Sequence, residues 1–252
     1  MQDILIYPVG VSEACKYAAK VLQESKFSLT DHPTPEITHL LLDIPSFTDA
    51  GLLSGNRDPE FLLSMLPPTL TVIGGNLFHP CLSEYSKLDL LTQEEYLCKN
   101  AAITAHCAIK TALPYLRKTP ADCRCAIFGW GRIGKCLCAL LNKMGAKVIL
   151  VIRNPKDRAL ASALGYCAYS PESFLREVKD LQLLFNTAPG SVIPADKLAH
   201  FSSCIKIDLA STPGLWGDDV VSARGLPGKL APESSGALIA ESILNYLKGG
   251  MI

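Results

Sequence analysis

The chain has 252 residues, which permits one or two domains, and 48% of them are hydrophobic, enough for a sizeable core. Twenty-four basic residues balance 24 acidic ones, so the formal net charge is zero, which speaks against nucleic-acid or anionic-membrane binding. No apolar run approaches the ~18 residues of a transmembrane helix, and MQDILIYPVG enters a strand-like run without a basic leader, so a soluble cytoplasmic protein is expected.

Residues 1–92 read as a first, smaller α/β domain. Ile4 to Tyr7 is a short strand, Ser12 caps a helix reaching Gln23, and Thr38 to Leu42 is a buried strand ending at Asp43. A loop-like insert runs from Pro45 to Asn56, either bordering a substrate cleft or lying plainly on the surface. Asp58 to Leu66 is a helix stopped by Pro67-Pro68, and Leu70 to Ile73 is a further strand ended by Gly74-Gly75-Asn76. Short strands alternating with helices predict a parallel sheet covered on both faces. A long helix follows, capped by Thr92, with Glu94 and Glu95 in its first turn and an end near Leu113-Pro114. This segment, 93–118, is expected to cross from the first domain to the second, and such junctions commonly hold substrate.

The second domain, 119–252, opens on its most informative stretch. Cys123 to Phe128 is a buried strand, and Gly129, Gly131 and Gly134 follow as G-x-G-x-x-G. A helix runs from Arg132 to Met144, Gly145 stops it, and Val148 to Ile152 forms the next strand. Strand, glycine turn, helix, strand is the order of a dinucleotide site. Gly129 permits the tight turn, Gly131 lets backbone approach a pyrophosphate, and Gly134 lets helix and strand pack closely. The helix start at Arg132, Ile133 and Gly134 then presents N–H groups and the positive end of the helix dipole to the phosphates. Where an NAD site places Asp or Glu, this chain has Arg153-Asn154, followed by Lys156 and Arg158. Cations there suit a 2′-phosphate, which favours NADP over NAD as cofactor.

Beyond that stretch, Pro155 to Leu164 is a helix, Tyr166 to Tyr169 a strand, Pro171 to Lys179 a helix and Leu181 to Phe185 a strand. Pro194 begins a short helix, Cys204 to Leu209 and Val220 to Ala223 are strands, and Ser234 or Ser235 caps a last helix to Leu247, which can pack back on the first domain. The expected fold is a Rossmann doubly wound parallel sheet plus a smaller, flavodoxin-like N-terminal α/β domain, joined by the crossing helix. Ligands of such sheets bind beyond the carboxyl ends of the strands. Asn186, Thr187, Ala188 and Pro189, with Leu209 and Ala210, are therefore expected at the nicotinamide half of the cofactor. Ser211 and Thr212 are further candidates, and Asp208 orients backbone.

The ten cysteines include no C-x-x-C, and neither they nor the five histidines show metal-ligand spacing, so small buried thiols and no metal are expected.

Several segments together resemble the A-chain family of dipicolinate synthase: KNAAITAHCAI (99–109), GWGRIG with LLNKMGAKVILVIRNP, FNTAP (185–189), IDLAS (207–211) and LPGKLAPESSG (226–236). The similarity spans essentially the whole chain. It implies an NADP-dependent oxidoreductase that converts a dihydrodipicolinate-type heterocycle to dipicolinate, working with a second, flavoprotein-like subunit in spore-forming bacteria. The chain departs from that pattern in the crossing helix, which more usually reads N-A-I-P-T-A-E-G-A-I: the proline is missing and His106-Cys107 replaces Glu-Gly.

Aromatising a dihydropyridine dicarboxylate requires cations for two carboxylates and a base for the proton lost with the hydride. Lys229, on a turn in PGK, and Arg224 are the cationic candidates. His106, grouped with Thr104 on the crossing helix, is the candidate base, since imidazole titrates near neutrality. Two other readings stand beside the enzyme: a non-catalytic NADP(H)-binding subunit or redox sensor, and an NADP-linked hydroxyacid dehydrogenase. The latter should show an Arg–Glu–His relay in its C-terminal half, which His200 alone fits poorly. A homo-oligomer is compatible with the sequence but not legible in it.

Overall fold

The computed structural model describes residues 4–190 and 192–249; Met1 to Asp3, the start of the stretch read as lacking a leader, lie outside them. The chain divides into two compact units, Met1–Asn100 with Pro227–Ile252, and Ala101–Leu226. The sequence pattern assigns 119–252 to the dinucleotide domain, whereas the chain from Pro227 onward groups with the first unit. The crossing helix is cut by the boundary between Asn100 and Ala101.

The first unit is built on β1 (Leu5–Pro8), β2 (Ser28–Leu29), β3 (His39–Leu41), β4 (Thr71–Gly74) and β5 (Ser86–Asp89). All neighbours are parallel, in the order β2-β1-β3-β4-β5. That is the flavodoxin-like order 2-1-3-4-5. Strands β2 and β5 escape the sequence reading. Both are edge strands, and SKLD alternates nothing clearly apolar because an edge needs burial on one side only. Leu40, Leu62, Leu70, Val72 and Leu82 form the core on one side of this sheet.

Helices α1 (Glu13–Glu24) and α2 (Pro59–Ser64) start where the side chains of Ser12 and Asp58 accept first-turn N–H groups. In α3 (Glu94–Ala112) the cap expectation fails: Gln93 O accepts the Leu97 N–H, and the Thr92 hydroxyl donates to Asp89 O instead.

The second unit carries β6 (Arg124–Phe128), β7 (Lys147–Val151), β8 (Cys167–Tyr169), β9 (Leu183–Asn186), β10 (Ile205–Asp208) and β11 (Val220–Ser222). Its six strands are parallel in the order β11-β10-β9-β6-β7-β8. Renumbered within the unit this is the doubly wound dinucleotide-binding order 3-2-1-4-5-6. Helices α4 (Arg132–Lys143), α5 (Pro155–Ala163), α6 (Pro171–Glu177) and α7 (Ala195–Leu198) connect the strands. Phe174 stands edge-on to Phe128 at 5.0 Å and stacks on Phe201 at 5.4 Å, tying α6 to the sheet.

The PGK segment, expected as a turn, is a short helix α8 (Leu226–Leu230), and α9 (Pro232–Gly249) follows at once. That helix begins at Pro232, two residues before the serines expected to cap it, because proline suits a first helical position. Helix α9 packs along α1 through Gly236, where an added Cβ would stand 2.5 Å from Ala14 O and 3.0 Å from Ala18 N. These neighbours are backbone and cannot yield. Gly236→Ala should therefore lower stability by about 1–3 kcal/mol, read as a lower urea midpoint with unchanged slope.

Candidate functional site

The two halves of the doubly wound sheet part between β6 and β9, and the carboxyl ends of those strands flank the crevice where such folds bind ligands. Gly129 follows β6 at φ +102°, a conformation L side chains rarely adopt. An added Cβ there would lie 2.6 Å from Thr187 Oγ1. At Gly134 it would lie 2.4 Å from Gly129 O, so helix α4 approaches the strand as closely as the glycine spacing requires. Gly131 is the opposite case. No heavy atom lies within 4 Å of its Cβ position, and it caps α4 without a side-chain hydrogen bond. The loop thus leaves an open cradle at the start of a 12-residue helix, and these residues fit a pyrophosphate. Arg132 is exposed and Ile133 half-buried in the same turn.

The first unit has the same strand–loop–helix step from β1 to α1, but a carboxylate already fills it. Asp43, 5% exposed, accepts the N–H of Val11 at 2.7 Å and of Ser12 at 3.0 Å, together with the Ser12 hydroxyl. The donors that would greet a phosphate are spent, which leaves the second unit as the nucleotide candidate.

Beside the glycine loop, Gly129, Val151, Arg153, Pro171, Ala188 and Val192 line a small crevice. Arg153 is exposed there. Of the rest of the run, Arg158 and Asn154 are engaged locally. Arg158 Nη1 donates to Ile152 O at 2.9 Å and Arg153 O at 3.4 Å, and Asn154 Oδ1 caps α5 by accepting from Lys156 N at 2.9 Å. Arg153 and Lys156 are both exposed, and of the two Arg153 lines the crevice where a 2′-phosphate would sit.

The polar loops depart from expectation. Asn186 has no exposed surface; its Nδ2 donates to Ala188 O at 3.0 Å and Asp208 Oδ1 at 2.8 Å, and its Oδ1 accepts from Ala188 N at 3.1 Å. Both amide protons are consumed inside the protein, so the expected hydrogen bond from Asn186 to the nicotinamide end is corrected to a loop-shaping role. Thr187 Oγ1 donates its proton to Phe128 O at 2.8 Å. Leu209 and Ala210 are buried, Pro189 is exposed, and Ala188 is half-buried at the crevice. Ser211 and Thr212 stand exposed in the neighbouring loop. Arg224 Nε donates to Ala210 O at 3.0 Å.

His106 and Thr104 do not share a face. Two residues span about 200° of helix, and Thr104 is buried while His106 is exposed. His106 belongs to the second unit and Lys229, exposed on α8, to the first. His200 Nδ1 meets Lys197 O at 3.1 Å. Among the described residues no group of three His, Cys, Asp or Glu side chains is placed to hold a metal ion, and no helix is long and apolar enough to cross a membrane.

No protein-family model matches the chain. The curated dipicolinate synthase A chain of Bacillus subtilis (strain 168) is 22% identical over 242 residues, covering 88% of this chain and 82% of that protein. The crystal structure of dipicolinate synthase, A chain, from Bacillus subtilis superposes with a TM-score of 0.82 at 18% identity, covering 99% of this chain and 97% of that one. This chain is similar to the A chain of dipicolinate synthase. The corresponding dipicolinate synthase chain from Bacillus halodurans gives a TM-score of 0.81 at 21% identity over 97% of each chain. The correspondence with the dipicolinate synthase A chains covers both units.

Six of the ten cysteines are buried, Cys81 and Cys136 are half-buried, and Cys98 and Cys167 are exposed. Burial pushes the thiols of Cys125 and Cys204 up to about 12, and that of Cys15, beside the Asp43 carboxylate, likewise to about 12. Thiolate is the nucleophile, so at pH 8 roughly one in ten thousand of these groups is reactive. Iodoacetamide at pH 8 should label Cys98 and Cys167 first, with Cys15, Cys125 and Cys204 modified only after denaturation. Peptide mass spectrometry of a time course checks this, and native labelling of the buried three at a matching rate would contradict it.

Proposed function

We propose that this chain is an NADP-dependent oxidoreductase of the dipicolinate synthase type, taking a dihydrodipicolinate-like heterocycle to the aromatic dicarboxylate. The observation that carries the reading is the open glycine cradle at the switch point, with the Arg153 guanidinium at the end of β7. When bound, the dinucleotide supplies the hydride acceptor. The substrate loses a hydride from carbon and a proton from the ring, and aromatisation supplies much of the driving force. Arg153 holds the 2′-phosphate through its planar fork. The backbone at Gly131, Arg132 and Ile133 receives the pyrophosphate, and Ala188 and Pro189 border the crevice. Lys229 is assigned a substrate carboxylate and His106 the departing proton. The resemblance further suggests a cytoplasmic setting and a flavoprotein-like partner.

A second reading is favoured by one observation: the side chains expected to act near the nicotinamide are already engaged, and His106 stands apart from Thr104. On that reading the chain is a non-catalytic NADP(H)-binding subunit or redox sensor. Purified protein mixed with dihydrodipicolinate and NADP separates the two. Growth of NADPH absorbance in the absence of a partner supports the enzyme, and tight NADPH binding without turnover supports the sensor.

Arg153→Asp should move the preference from NADP toward NAD. Removing a guanidinium–phosphate pair and adding repulsion amounts to a change of about a hundredfold or more in the NADP/NAD ratio of kcat/KM. An unchanged ratio refutes the assignment. Lys229→Ala should raise KM for the dicarboxylate by about tenfold with kcat nearly constant, the signature of lost uniform binding.

A further inference from the structure

We propose that Asp208 and Asn186 are positioning residues that hold the loops at the nicotinamide end of the site in one shape without touching the cofactor. Asp208, 2% exposed, ends β10 and accepts four hydrogen bonds. Its Oδ1 takes Asn186 Nδ2 at 2.8 Å and Ala210 N at 3.2 Å, and its Oδ2 takes Gly214 N at 2.8 Å and Leu215 N at 3.2 Å. One carboxylate therefore folds the 209–215 loop over itself and, through Asn186, binds it to the 186–190 loop after the adjacent strand β9. Gly214 shows how closely the loops are seated. An added Cβ there would stand 2.2 Å from Asn186 Nδ2, 2.8 Å from Gly190 O and 3.0 Å from Ala188 O. Val192 N also donates to Gly214 O at 3.1 Å.

The location gives this arrangement a function. In a doubly wound sheet the first half, here β6, β7 and β8, carries the adenosine end of a dinucleotide, and the second half, here β9, β10 and β11, carries the other end. The Asn186–Asp208 link joins loops of the second half only. Asn186 and Asp208 close β9 and β10, whereas Arg153 follows β7 on the other side of β6; only Ala188 and Val192 reach the crevice that Arg153 lines, so the loss should be felt mainly at the nicotinamide end. The inference rests on the dinucleotide reading above.

The test uses the full chain and two variants, Asp208→Asn and Asn186→Ala. Each is titrated with whichever of NADPH or NADH the wild-type chain binds more tightly, followed by nicotinamide fluorescence. Each is then titrated with the adenosine half alone, 2′,5′-ADP or 5′-ADP, by calorimetry. Losing hydrogen bonds to a buried charge corresponds to about a 10- to 100-fold effect. We expect that loss for the intact dinucleotide, with diminished fluorescence enhancement and adenosine-half affinity within about twofold of wild type. Should Asp208→Asn fail to fold, Asn186→Ala, which leaves the carboxylate and its three backbone donors in place, carries the test. Equal weakening of both probes would mean a general structural role and overturn the proposal, as would unchanged binding of both. A wild-type chain that binds neither probe overturns the dinucleotide reading itself, and this inference with it.

Discussion

A parallel sheet sends every loop that can carry function to one edge, and the backbone N–H groups of those loops need acceptors there. In this protein three aspartates meet that need. Asp43 follows β3, Asp89 closes β5 and Asp208 closes β10, and all three are at most 9% exposed. Each takes at least three hydrogen bonds: Asp43 from the start of α1, Asp89 from Asn76, Leu77 and Leu91, and Asp208 from the two loops beside the crevice. A buried carboxylate with several N–H donors is satisfied without a cation, whereas removing it would strand those donors. The loop geometry at the carboxyl edges depends on these three side chains.

The same device sorts the two units by function. Both contain a strand that turns into a helix, the step that binds phosphate in many α/β proteins. In the first unit Asp43 and the Ser12 cap occupy that step, and the helix start has become a structural joint. In the second unit the corresponding place is glycine, with neither a side-chain cap nor a neighbour at Gly131. A difference of a few atoms, carboxylate against nothing, separates the filled step from the open one.

The site was legible in the sequence to the extent that its chemistry is backbone chemistry. Glycine spacing announces a tight turn and a close helix approach, because only a missing Cβ permits them, and the structure places Gly129 and Gly134 in those contacts. Arg153 stands at the strand end that its spacing indicated. The polar side chains were harder. Asn186 and Thr187 read as ligand-facing because polar residues at strand ends usually are. Their protons go to Ala188, Asp208 and Phe128, partners 2, 22 and 59 residues away in sequence. His106 and Thr104 read as a pair because they are near in sequence, but helical geometry turns them apart.

What the sequence alone determined was the alternation of strand and helix, the doubly wound class and the place of the glycine loop. These follow from local periodicity and from glycine, which act within a few residues. Only the tertiary structure decided the two edge strands, the helical form of the PGK segment, and which polar side chains are already spent. Those depend on what lies across a sheet edge, along a neighbouring helix or at the end of a strand far away in sequence, and a hydrogen bond is settled only when both of its partners are in place.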